Sequence, residues 1–171
     1  VFYSISNCQE GLFGISFGNL LIKQVVAELR QELPELEKFV TLSPIPSPNK
    51  WLESDDHISS KQVLDGKAAS DDIRIIASQY LVEAKDAKGR PIDPVARFHL
   101  GNGAEVYEVH ADADITNKGL QQSSGAMVNY LYNLRNIEKN HEQFVSSGTI
   151  AQSQSVSQKA KKYQTVLQKF T

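Results

Sequence analysis

The chain has 171 residues, 40% apolar and 22% charged, with a formal net charge of −2. Those fractions exclude disordered, collagen-like and coiled-coil chains, and the length fits one ordinary domain with a core of useful size. Basic residues number 18 against 20 acidic ones, and the longest apolar stretches fall well short of the about 20 residues a bilayer requires, so neither nucleic acid nor membrane is an expected partner. A single cysteine, Cys8, allows no internal disulfide and no multi-cysteine zinc site, and no basic segment followed by an apolar core marks a signal peptide.

The first six residues, Val1-Phe2-Tyr3-Ser4-Ile5-Ser6, read as a strand already under way. Domains rarely start inside a core strand, so the chain is expected to be a fragment of a longer protein or the tail of a larger domain. The strand runs into a segment with Gly11, Gly14 and Gly18, and a helix is predicted from about Ser16 to Leu33. Its stripe is Phe17, Leu20, Leu21, Val25, Leu29 and Leu33, and Pro34 stops it. A second strand, Phe39 to Leu42, ends in Ser43-Pro44-Ile45-Pro46-Ser47-Pro48, whose prolines fix an extended path.

Residues 49–69 read as a surface loop with a short helix. Ser70-Asp71-Asp72 has the form of an N-cap with an acidic first turn, followed by a helical stripe of Ile73, Ile76, Ala77, Tyr80, Leu81 and Ala84. Asp93-Pro94 opens a short helix that Gly101-Asn102-Gly103 breaks. A strand is predicted over 104–110 and a short helix or loop over 119–124. Met127 to Tyr132 reads as a strand, with a helix almost equally compatible. From about Asn136 the chain is helical and polar, with a frayed tail over 153–171. The order of elements defines an α/β class, with helices layered on a mixed sheet.

Chemistry has three candidate places. The glycine-rich turn before the first helix presents free backbone N–H groups and a positive helix end to an anion such as a pyrophosphate. It lacks the Gly-Lys-Ser/Thr of a Walker loop and the spacing of a dinucleotide fingerprint, and a turn that needs glycine for steric reasons has the same appearance. Ser43 stands at the carboxyl end of a strand, where open α/β sheets present ligand-binding groups, although a serine capping a turn also sits there. His99, between Phe98 and Leu100, has the surroundings of a general acid of tuned pKa or of a satisfied core histidine. His57, His110 and His141 lie in polar contexts, and the histidines form no metal-ligand spacing.

Taken together, these segments resemble the catalytic domain of malonyl-CoA decarboxylase. The likeness is carried by Phe2 to Ser6 and by Gly11-Leu12-Phe13-Gly14-Ile15 leading into Leu21 to Val26. It continues through Leu42-Ser43-Pro44-Ile45-Pro46 with Lys50-Trp51-Leu52, and through Asp93 to Ala104. Met127 to Tyr132 resembles the strand that precedes that family's C-terminal helices. The likeness spans roughly residues 1–145. It departs from the family at Ser47-Pro48, at Val109-His110-Ala111-Asp112 and in a shortened segment between Ser43 and His99.

The resemblance implies a GNAT-type, acyltransferase-like fold lacking its first strands, with residues 1–150 as the C-terminal part of the catalytic domain and 151–171 as a polar helical or frayed tail. It further implies a separate helical domain, absent from this chain, that makes homo-oligomer contacts. Substrate-binding residues carry over to Phe13, Gly14, Ile15, Ser16, Phe17, Gly18, Asn19 and Ile22, with Ser43 and His99 as the catalytic pair and Tyr132 as a supporting tyrosine. The implied activity is decarboxylation of malonyl-CoA to acetyl-CoA, with His99 as proton donor and Ser43 as proton acceptor or carboxylate-orienting group. Loss of CO2 leaves an enolate that the thioester carbonyl stabilises, so no cofactor and no metal is expected. The implied compartment is the cytoplasm, or the mitochondrion or peroxisome for a eukaryotic source. The alternatives are a GNAT-type acyltransferase and a non-catalytic acyl-CoA-binding module. A hydrolase reading of the serine and histidine finds no third orienting residue in the sequence.

Overall fold

A computed structural model describes residues 17–36, 38–54 and 58–168. The strand expected over 1–6 and the glycine-rich turn through Ser16 lie outside the described residues. The first described helix, α1 (Phe17–Glu32), ends just before Pro34 as expected. The side chains of Phe17, Leu20 and Leu21 in the predicted stripe lie outside the described residues; beyond them Ile22 and Val26 enter the core, Val25 and Leu29 are half-buried and Leu33 is 43% exposed. Leu33 lies one residue beyond the helix, so helical periodicity no longer carries it inward.

Strands β1 (Phe39–Val40), β2 (Ser43–Pro44), β3 (Glu105–His110) and β4 (Met127–Tyr132) form an antiparallel sheet centred on β4. On one side β4 pairs with β1 and β2, and on the other with β3. Phe39 faces Tyr132, Val40 faces Leu131 and Ser43 faces Val128, so β1 and β2 are two pieces of one extended segment in a single register. The Met127–Tyr132 segment, ambiguous between strand and helix, is thus the sheet's centre. Hydrogen bonding from both sides and burial of Val128, Tyr130, Leu131 and Tyr132 decide it.

Helices α2 (Pro48–Glu53) and α3 (Ile58–Leu64) replace the expected loop with its single short helix. Pro48 takes the first helical position, where the missing N–H costs nothing. In α4 (Ser70–Glu83) the N-cap is Ala69 and not Ser70, whose hydroxyl instead donates to Asp112 Oδ2 at 2.6 Å. Its buried surface is also wider than predicted, adding Ile75 and Val82, because the core lies on one flank and a second cluster on the other. Helix α5 (Pro94–Gly101) starts and stops as expected, and α6 (Asn117–Ser123) fills the uncertain segment before β4.

Helices α7 (Ile137–Ser147), α8 (Gln154–Lys161) and α9 (Tyr163–Gln168) complete the described chain. The frayed tail expected over 153–171 is not what 154–168 form. Val156, Ala160, Tyr163 and Val166 are buried at helical spacing. Residues 151–153 anchor the start of α8 along β3: Val106 N–H donates to the Ala151 carbonyl and Ser153 N–H to the Val106 carbonyl, both at 2.9 Å. Ser153 Oγ then caps α8 by accepting from Val156 N–H at 3.2 Å. Polar composition concealed a four-residue apolar stripe that only a neighbouring surface makes useful. No helix among the described residues is long and apolar enough to cross a membrane.

Candidate active site

The site lies where α5 crosses one face of the sheet. Two residues apart on extended backbone, Thr41 and Ser43 share a face, and Tyr130 and Tyr132 share the same face of β4. Helix α5 brings His99 onto that face. Its start is fixed by Asp93, 1% exposed, whose Oδ1 accepts from Ala96 N–H at 2.8 Å while Tyr80 Oη donates to Oδ2 at 3.3 Å. Burial raises the Asp93 pKa against the opposing pull of its backbone and tyrosine hydrogen bonds.

The end of α5 is fixed by Gly103, at φ +80°, where a Cβ would stand 2.2 Å from the Ile137 carbonyl oxygen. That glycine is required both by its backbone conformation and by the approach of α7. Gly101 is not under the same demand, since a Cβ there meets nothing closer than 3.9 Å.

Ser43 and His99, 56 positions apart in sequence, meet with Oγ 3.3 Å from Nε2. The other ring nitrogen, Nδ1, is 2.7 Å from Tyr132 Oη. The imidazole stacks on the Tyr130 ring, centroids 4.4 Å apart and 21° from parallel, with Phe98 and Tyr132 edge-on. Ser43 and His99 are 6% and 5% exposed. Burial lowers the His99 pKa from 6.5 to about 4, so the ring is neutral at neutral pH. Burial pushes the Tyr132 hydroxyl upward, with Asn102 beside it opposing, and Tyr132 therefore keeps its proton. These are three groups with hydrogen-bonding protons, held in line against an apolar wall.

Of the other sequence candidates, Phe13, Gly14, Ile15 and Ser16 lie outside the described residues, and Phe17, Gly18 and Asn19 form the first turn of α1. Ile22 is buried in the main core. Among the described residues no group of three or more His, Cys, Asp or Glu side chains could hold a metal ion. Sequence reasoning missed Thr41 and Tyr130. Each stands two residues before a chosen site residue on the same strand, and that period of two was the available signal.

Fold and site together define an α/β protein of GNAT-like architecture with a buried serine–histidine pair against its sheet. The sequence matches the malonyl-CoA decarboxylase C-terminal domain over residues 1–71 and 66–169, and the chain belongs to that family. The solved malonyl-CoA decarboxylase from Rhodopseudomonas palustris is 43% identical with a TM-score of 0.81, covering 92% of this chain and 41% of that one. The enzyme from Agrobacterium vitis is 42% identical with a TM-score of 0.82, covering 92% and 44%. The goose (Anser anser anser) mitochondrial malonyl-CoA decarboxylase is 33% identical over 91% of this chain and 38% of its own length. The chain therefore spans about two-fifths of the relatives it matches.

Proposed function

We propose that this chain carries the chemistry of a malonyl-CoA decarboxylase, releasing CO2 from malonyl-CoA to leave acetyl-CoA. The observation that supports it most is the Ser43–His99–Tyr132 line, which offers a proton at a buried, apolar position. Breaking the bond to the carboxylate leaves its electron pair on the α-carbon, delocalised onto the thioester oxygen. The site must orient the carboxylate, hold the oxyanion and deliver one proton to the α-carbon.

His99 Nε2 is the proton donor, and the nitrogen regains a proton through its hydrogen-bonded neighbours and ultimately from water. Ser43 Oγ is the proton acceptor of the pair, taking the Nε2–H hydrogen bond between turnovers. Because the ring is neutral, giving up the Nε2 proton leaves an imidazolate until that nitrogen is reprotonated; the enolate, a stronger base than imidazolate, draws the proton off, and no charged histidine has to be buried beforehand. The chemistry calls on no cofactor beyond the coenzyme A of the substrate itself. The loop from Phe13 through Asn19, with Ile22, is the proposed coenzyme A contact.

The test is CO2 release from malonyl-CoA by the intact protein with no acyl acceptor present. A decarboxylase turns over under those conditions. A protein that binds coenzyme A thioesters but releases CO2 only with an acceptor, or never, overturns the proposal. His99→Asn is expected to lower kcat by about 10²-fold or more with little change in coenzyme A affinity, and near-normal turnover of that variant removes His99 as the donor.

A further inference from the structure

Thr41 carries a hydroxyl that the chemistry above leaves unused, at a point where the sheet's own hydrogen bonding is rearranged. Thr41 N–H donates to the Tyr130 carbonyl at 3.0 Å, an ordinary ladder bond. The return bond is diverted. Tyr130 N–H donates to Thr41 Oγ1 at 3.2 Å, and the Thr41 carbonyl accepts from Asn129 Nδ2 at 2.6 Å. A backbone N–H only donates, so Thr41 Oγ1 is an acceptor there. Ser43 Oγ donates to the same oxygen at 2.9 Å. Thr41 itself is 1% exposed, so water does not compete for these bonds.

A serine hydroxyl has one proton, and here it is committed to Thr41. What Ser43 turns toward His99 Nε2 at 3.3 Å is therefore a lone pair, and Nε2 must carry the ring's proton. In a neutral imidazole Nδ1 is then the acceptor, filled by the Tyr132 hydroxyl at 2.7 Å. The donors run one way, from Tyr132 through His99 and Ser43 to Thr41.

From this we infer that Thr41 is a positioning residue of the catalytic pair: by holding the Ser43 proton it fixes His99 in the tautomer whose Nε2 is the donor. Without that acceptor the Ser43 hydroxyl is free to turn its proton onto Nε2. The ring proton then moves to Nδ1, toward Tyr132, and the nitrogen facing the site has none to give. The inference rests on the decarboxylase reading above.

The experiment measures CO2 release from malonyl-CoA by the intact protein and its Thr41→Val and Thr41→Ser variants, each with and without Ser43→Ala. Valine keeps the shape and removes the acceptor, so kcat should fall about tenfold or more while KM stays within about twofold. Serine restores the acceptor and should recover most of the rate. In the Ser43→Ala background, Thr41→Val should cost less than about twofold, because the proton it controls is gone. A purely structural role predicts the same loss with or without Ser43. That result, or full activity of Thr41→Val, or a serine variant as slow as valine, overturns the inference. Should valine leave too little folded protein, Thr41→Cys keeps the size and weakens the acceptor, and the same comparison applies. An unmodified protein that releases no CO2 overturns the decarboxylase reading and this role with it, whereas a competent one matched by Thr41→Val removes only the role of Thr41.

Discussion

His99 is held as a neutral ring by its surroundings and not by a charged partner. Tyr130 covers one face, Phe98 and Tyr132 bound it edge-on, and burial lowers the pKa from 6.5 to about 4. A kinetic expectation follows at the scale of this residue. The acid limb of kcat/KM reports the free enzyme's essential groups, so activity toward malonyl-CoA should stay level from about pH 8 down to about pH 5 and fall only near 4. An acid limb centred at 6.5 would mean that the ring titrates as though exposed, and the neutral-donor account would fail. Tyr132→Phe removes the donor to Nδ1 at 2.7 Å and should lower kcat by about tenfold or more, with wild-type kcat for that variant disconnecting Tyr132 from the relay.

Helix α5 is eight residues long, and its placement depends on its ends. At its start, Asp93→Ala removes the cap to Ala96 and leaves the buried Tyr80 hydroxyl without that acceptor, a loss of about 2–3 kcal/mol in unfolding free energy. Asp93→Asn keeps an oxygen for the cap and should recover most of it. At its end, the two glycines should separate cleanly in thermal melts. Gly103→Ala is strained by its positive φ and by the Ile137 carbonyl at 2.2 Å, so its Tm should fall by several degrees or the protein should fail to accumulate. Gly101→Ala fills ordinary space within a helix and should be neutral or stabilising. Equal behaviour of the two would mean that α7 does not press on the Gly103 turn.

For the molecule as a whole, burying His99 in neutral form links stability to pH. Its folded pKa of about 4 lies below the ordinary 6.5, so on acidification the unfolded chain takes up the proton first. The contribution is fully present above 6.5 and is lost progressively as pH falls toward 4, on the order of 3 kcal/mol in all. Asp93 works in the opposite sense, because a raised carboxyl pKa lets the folded state keep its proton at higher pH. Comparing His99→Asn with the unmodified protein isolates the histidine: denaturant unfolding of the variant should depend less on pH between about 6.5 and 4. Parallel pH curves for the two proteins would contradict the burial that the structure assigns to the ring.

Several features were determined by the sequence alone. The end of α1 and both ends of α5 follow from Pro34, Asp93-Pro94 and Gly101-Asn102-Gly103, because proline geometry, side-chain capping and glycine freedom act within a few residues. The choice of Ser43, His99 and Tyr132 followed from a motif resemblance, and the three stand together in space. Only the tertiary structure decided the rest. Whether Met127–Tyr132 was strand or helix depended on partners at 39–44 and 105–110, which local pattern does not contain. Residues 154–168 look like a solvated tail because four apolar side chains gain little by themselves. Packed against α4, β3 and α3, they divide between the main core (Val156, Ala160) and the second apolar cluster (Tyr163, Val166). The direction of the proton line was also beyond the sequence. It depends on a diverted ladder bond at Thr41, and a hydrogen bond's direction is set by what every neighbouring donor has already claimed.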